Sequence, residues 1–126
     1  MMDIFVIPNS STPAYRQLYE QISAQILTGK LRAGDALPPV RTVSSELGIS
    51  IITVRSAWEA LEKDGFIITR TGSGCYIADI PEPQRNEIKA ALLRERIRSL
   101  VKASKSIDYS ESDLLKDIHD AFKEEK

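Results

Sequence analysis

The sequence predicts an α+β fold that is mainly α: three helices and a β-hairpin in a first domain over residues 1–80, then two more helices in a tail over residues 81–126. Three observations predict it. Apolar residues recur at helical spacing in five separate stretches. Gly29, Gly48 and Gly65 stand just past the first three of these, where a left-handed residue ends a helix. Two β-prone runs, "FIITR" and "CYIAD", flank the tight glycine turn "TGSG". A chain of 126 residues holds one small domain with an appendage and not two full cores.

Each element follows from local signals. "DIFVI" is β-branched and aromatic enough to predict a short N-terminal strand, which "PNSS" ends. Thr12 and Pro13 provide an N-cap and a first-turn proline for a helix over 13–28, along which Tyr15, Leu18, Tyr19, Ile22 and Ile26 keep helical spacing. "KLRAGDALPP" reads as a turn whose Leu31 and Leu37 tuck back under that helix. A short second helix is expected over 40–47, and a third over 51–64 with Ser50 as its cap. The two prolines of "IPEPQ" mark the end of the domain. Beyond them a helix is expected over 84–104. A last helix carries Leu114, Leu115, Ile118 and Phe122, and Ser110 with Asp113 has the form of a capping box.

Three helices followed by a hairpin, with the second and third separated by a few residues, outline a winged helix-turn-helix. The third helix poses a specific question. At about 100° of rotation per residue, Val54, Trp58 and Leu61 share one side with Ile51 at its edge, which leaves Ile52 pointing almost directly away beside Thr53, Arg55 and Ser56. A stray surface isoleucine is commonplace. At the opening of a recognition helix, however, the first turn meets base edges, where an apolar tip packs on the C5-methyl of thymine.

Composition narrows the function. The net charge of −1 argues against a protein that coats nucleic acid nonspecifically, so any DNA binding must be local. No apolar run approaches the length needed to cross a bilayer, and the N-terminus lacks a secretion signal, so a cytoplasmic location is expected. The single cysteine, Cys75, has no partner for a disulfide or a metal pair. His119 reads as a surface histidine without convergent metal ligands. With one His, one Cys and no paired carboxylates, neither a catalytic site nor a cofactor is expected. "GSG" lacks the strand-loop-helix setting and the lysine of a phosphate-binding loop. The tail is polarised: residues 85–105 are mostly basic and residues 106–126 mostly acidic.

The stretch from Pro13 to Ile77 closely resembles the DNA-binding domain of the GntR family of bacterial transcription regulators. The residues that carry the likeness are Pro13, Tyr15, Gln17 and Leu18; Gly29, Leu31, Gly34, Leu37, Pro38 and Arg41; Ser50, Thr53, Val54, Arg55 and Ala57; Gly65; and Gly72, Gly74, Tyr76 and Ile77. About 45 residues follow, room for two helices but not for an effector pocket or an aminotransferase, which is similar to the YtrA-type subgroup. That resemblance implies a homodimer held partly by its C-terminal helices, which binds an operator and represses genes, often those of ABC transporters. Three positions depart from the family pattern: Pro39 stands where a serine is usual, Ile51 where an arginine is usual, and Ser73 where the residue between the wing glycines is often basic.

The candidate DNA-binding residues are therefore Arg41, Ser50, Ile51, Ile52, Thr53, Arg55, Thr71, Gly72, Ser73 and Gly74. Arg55 is suited to fork onto a guanine or brace a phosphate, against the plainer reading of an i,i+4 pair with Glu59. Arg41 is a constant contact in the family, against a surface ion pair of little energetic value. Ser50 and Thr53 carry hydroxyls suited to phosphate, although capping alone accounts for Ser50. Gly72 and Gly74 bend the wing tip so that Thr71, Ser73 and the backbone N–H groups approach the minor-groove backbone. The basic stripe from Arg94 to Lys102 is assigned to charge facing the acidic last helix, within a chain or across a dimer, and not to DNA. The expected function is sequence-specific repression by a homodimer on an inverted repeat of double-stranded DNA. The rivals are a winged-helix protein–protein module and the head of a longer DNA-binding enzyme, against which the capped, acidic C-terminus suggests a natural end of the chain.

Overall fold

The structure is a computed structural model that describes residues 3–125. In chain order the elements are α1 (Ala14–Leu27), α2 (Val40–Leu47), α3 (Ile51–Lys63), β1 (Ile67–Arg70), β2 (Gly74–Ile77), α4 (Glu82–Ser106) and α5 (Glu111–Glu124). The chain divides into two compact units after Arg85. No helix of the described residues is long and apolar enough to cross a membrane.

The core of the first unit is built from one stripe of each helix. Leu18, Ile22 and Ile26 of α1, Val43 of α2, and Val54, Ala57, Trp58 and Leu61 of α3 are buried together with Phe66, Ile67 and Ile77 of the hairpin. Each large aliphatic side chain so buried contributes roughly 1.5–3 kcal/mol. The middle of α1 is tied to the end of α3 by the Tyr19 hydroxyl, which donates to the Asp64 carboxylate, and to the residue before the hairpin by an edge-to-face contact of Tyr19 with Phe66 at 6.1 Å. Burial, and then that carboxylate, hold the Tyr19 phenol well above its ordinary pKa.

The hairpin is antiparallel, with Ile67 opposite Ile77 and Arg70 opposite Gly74. The segment before α2 is more than a turn. Its Leu37 is buried as expected, but Gly34 and Leu37 also donate their N–H groups to Ile77 and Cys75 at 2.9 Å, and Ile77 donates to Asp35 at 2.8 Å. A bridge between Ala36 and Tyr76 thus gives the wing a third, rudimentary strand.

The expected N-terminal strand does not form. Residues 3–7 pair with no strand and instead lie against α1, held by glutamines. Gln21 accepts from the Phe5 N–H at 3.0 Å and donates to the Phe5 carbonyl, Gln17 does the same for Ile7, and Gln25 donates to the Asp3 carbonyl. Four residues of helix rise about 6.0 Å and two extended residues about 6.6 Å, so glutamines at i, i+4 and i+8 match alternate backbone groups of an extended chain. Strand propensity produced an extended segment; with no strand beside it, side-chain amides satisfy its backbone.

Helix α4, expected over 84–104, runs two residues further at each end, from Glu82 to Ser106. Asp108, at φ 55°, turns the chain between α4 and α5. Ser110 accepts from the Asp113 N–H at 3.1 Å, which forms one half of the capping box. Ile97, Leu100, Val101, Leu115 and Ile118 remain exposed around a groove that Leu114 and Tyr109 also line, and Phe122 is 79% exposed. His119 is exposed on α5.

The contrast within α3 yields a direct test. Leu61→Ala should cost about 2–5 kcal/mol in a urea titration, because it empties a fully buried site. Ile52→Ala should stay within about 0.5 kcal/mol of the parent, because that side chain is 73% exposed.

Candidate nucleic-acid interface

The turn between α2 and α3 is set by two local devices. Gly48 ends α2 in the left-handed region at φ 68° and donates to the Ser44 carbonyl at 3.0 Å. Ser50 then opens α3, its Oγ accepting from the Thr53 N–H at 3.0 Å. The two hydroxyls also bond to each other, Ser50 Oγ to Thr53 Oγ1 at 2.7 Å. Ser50 is therefore explained by its cap, and Thr53, half-buried, shares that bond.

Because Val54, Ala57, Trp58 and Leu61 are buried, the opposite side of α3 faces outward. Ile52 and Arg55 lie on it, both exposed, while Ile51 is half-buried at the edge of the stripe. Arg55 forms no ion pair with Glu59; among the described residues the one ion pair is Lys30 with Asp3, at 3.3 Å. Arg41, in the first turn of α2, is exposed and likewise unpaired. Helix α2 starts at Pro39 without a side-chain cap, as that proline implies, and Val43 donates to the Pro39 carbonyl at 3.2 Å.

The wing tip is a tight turn in which the Ser73 N–H donates to the Arg70 carbonyl at 2.9 Å. Gly72, third in that turn, has φ 76°, the position at which a type II turn favours glycine. Thr71, Gly72, Ser73 and Gly74 are all exposed. Together with Arg70 they line one side of an open groove whose other side is Leu37, Pro38, Pro39 and Val40, with Trp58 at its floor. The fold thus sets the wing tip beside Pro39 and Val40 at the start of α2. Exposed N–H groups, hydroxyls and guanidinium groups of this kind suit phosphate oxygens and base edges.

Two features escaped the sequence. The Arg70 guanidinium lies over the Tyr76 ring, 4.9 Å from its centroid, and the Tyr76 hydroxyl bonds to Ser73 Oγ. The only signal for them was an arginine directly before the turn and a tyrosine two residues after it.

Comparison with known proteins places these elements in one family. Residues 14–77 match the family described as bacterial regulatory proteins, gntR family. Over 98 residues the chain is 34% identical to the HTH-type transcriptional repressor YtrA of Bacillus subtilis, covering 78% of this chain and 75% of that protein. It is 41% identical over 73 residues to the probable rhizopine catabolism regulatory protein MocR of Rhizobium meliloti, covering 58% of this chain but only 15% of that much longer protein. A crystal structure of AraR(DBD) in complex with operator ORX1 aligns with a TM-score of 0.54 and 28% identity, over 62% of this chain and all of that one. The helix-turn-helix, its glycine-tipped wing and a tail of two helices therefore belong to a DNA-binding transcriptional regulator of the GntR family, YtrA type.

Proposed function

We propose that this regulator is a repressor that binds an inverted-repeat operator as a homodimer, with α3 of each copy in a major groove. The observation that carries the reading is the placement of Ile52 and Arg55, exposed and unpaired, on a helix whose other side is buried in the core. Ile52 packs on a thymine methyl and Arg55 forks onto a guanine or a phosphate. Arg41 and the wing residues Thr71, Gly72, Ser73 and Gly74 hold the backbone on either side. Ser50, Ile51 and Thr53 set the opening turn of the helix at the groove, Ile51 as an edge of the packing and the two hydroxyls through their shared bond. Two relatives point the same way: YtrA is a transcriptional repressor by name, and so is MngR of Escherichia coli.

A dimer accounts for the tail. The acidic residues of α5 form no ion pair with the basic residues of α4 among the described residues, although the two helices belong to one unit. The apolar groove between Ile97 and Ile118 and the exposed ring of Phe122 are uncovered in a single copy. A second copy supplies both the apolar surface and the opposite charge, and two-fold pairing matches a two-fold operator.

Three outcomes are expected. In anisotropy titrations on DNA selected from random oligonucleotides, the logarithm of the binding constant should fall linearly with the logarithm of salt concentration, and the selected consensus should be an inverted repeat. Affinity indifferent to salt contradicts the reading. Arg55→Ala and Arg41→Ala should each weaken binding by about 1–3 kcal/mol with no change in melting temperature; unaltered DNA binding in both would favour a protein partner for this face. Ile118→Asp in α5 should convert the sedimenting species to monomer and reduce operator affinity, since a charge placed on the apolar groove opposes its burial.

A further inference from the structure

We infer that Arg70 is a DNA-phosphate contact on the flank of the wing, oriented by Tyr76, and that it supplies the positive charge that the tip residue Ser73 lacks. The inference rests on the reading that the wing sits against a duplex. Arg70 ends β1 directly opposite Gly74, so no side chain faces it across the strands. Its neighbour on the same face is the diagonal residue Tyr76, which pairs with Ile68. The guanidinium accordingly lies over that ring at 4.9 Å.

The ring is itself held. The Tyr76 hydroxyl bonds to Ser73 Oγ and donates to the Ser73 carbonyl at 3.3 Å, so the tip of the turn pins the far end of the ring under the arginine. The ring lies on one side of the guanidinium and leaves its N–H donors available. None of them makes a hydrogen bond or an ion pair among the described residues. An exposed arginine held over a ring with its N–H donors unengaged is suited to a doubly bonded oxyanion, and along a wing that oxyanion is a backbone phosphate. Tyr76 is a positioning residue: it holds the guanidinium and touches no DNA in this arrangement.

The test uses the full chain and one operator recovered by selection, with Kd measured across a salt series. Arg70→Ala and Arg70→Gln should each lower the log–log salt slope by about 0.9 for every wing engaged. Both should weaken binding about tenfold at low salt, by the same factor on every operator sequence, as loss of a phosphate contact does. Tyr76→Phe, which keeps the ring, should bind within about twofold of the parent, whereas Tyr76→Leu should keep the salt slope and lose about threefold in affinity. A parental slope and affinity in Arg70→Ala, with DNA binding still weakened in Arg55→Ala, overturns the inference and leaves the DNA-binding reading intact. A parental slope with a lowered melting temperature also overturns it, since the arginine would then only stiffen the hairpin. If Tyr76→Leu does not fold, the two Arg70 variants decide the phosphate contact. Absence of salt-dependent binding in the parent removes the DNA reading itself.

Discussion

Burial of one stripe of α3 governs the rest of the structure. Val54, Ala57, Trp58 and Leu61 form a side of the helix that is sealed against the other helices and the hairpin, with Val54, Ala57 and Leu61 fully buried. No other rotation of the helix is affordable, because turning it by a third of a turn would bring Arg55 or Glu59 into an apolar core at a cost of several kcal/mol per unpaired charge. Packing alone therefore decides that Ile52, Arg55 and Ser56 point outward. An exposed isoleucine at the first turn is the by-product of that constraint, and also the chemical group that recognition of a thymine methyl requires.

Electrostatics here is local and not global. With a net charge of −1 the chain has no broad positive field to draw DNA in, so affinity must come from a few placed arginines. Arg41 and Arg55 are exposed and free of ion pairs among the described residues, and the Arg70 guanidinium lies over the Tyr76 ring. These cations are arranged around positions where family members usually carry other residues. Ile51 takes the place of an arginine and packs at the edge of the stripe, Pro39 starts α2 by ring geometry instead of a hydroxyl cap, and Ser73 pins a ring instead of carrying charge. In the proposed reading, the chemistry of the interface shifts from base- and phosphate-forking at the opening of α3 toward apolar contact there, with charge moved to the side of the wing.

What could be read in advance was whatever is encoded by neighbours in sequence. The bounds of α2 and the start of α3 follow from Gly48, Ser50 and a few apolar spacings, and the structure matches them at Val40, Leu47 and Ile51. The hairpin follows from its glycines, and the outward face of Ile52 from helical geometry alone. Features set by distant partners were not legible. Gln17 and Tyr76 served as family landmarks, but nothing local shows that Gln17, Gln21 and Gln25 would clasp a segment ten to twenty-two residues away, or that Tyr76 would carry Arg70. "DIFVI" differs for the same reason: it is extended, as its propensity implies, but a strand exists only with a partner, and none pairs with it among the described residues. Likewise, the bond between the Ser50 and Thr53 hydroxyls, which accounts for both without DNA, is a matter of rotamers and not of spacing.

The most direct measurement places a single methyl group on each side of the contact. Operator DNA is prepared with uracil in place of each thymine of the half-site in turn, and binding is compared for the parent and Ile52→Ala. A coupling is expected at one thymine per half-site: uracil there weakens the parent by about 1 kcal/mol and leaves Ile52→Ala unchanged, because the isoleucine and the methyl are lost as a pair. If the parent and the variant respond alike to every uracil, the exposed face of α3 does not meet the bases, and the orientation of this protein on its operator is not the one proposed.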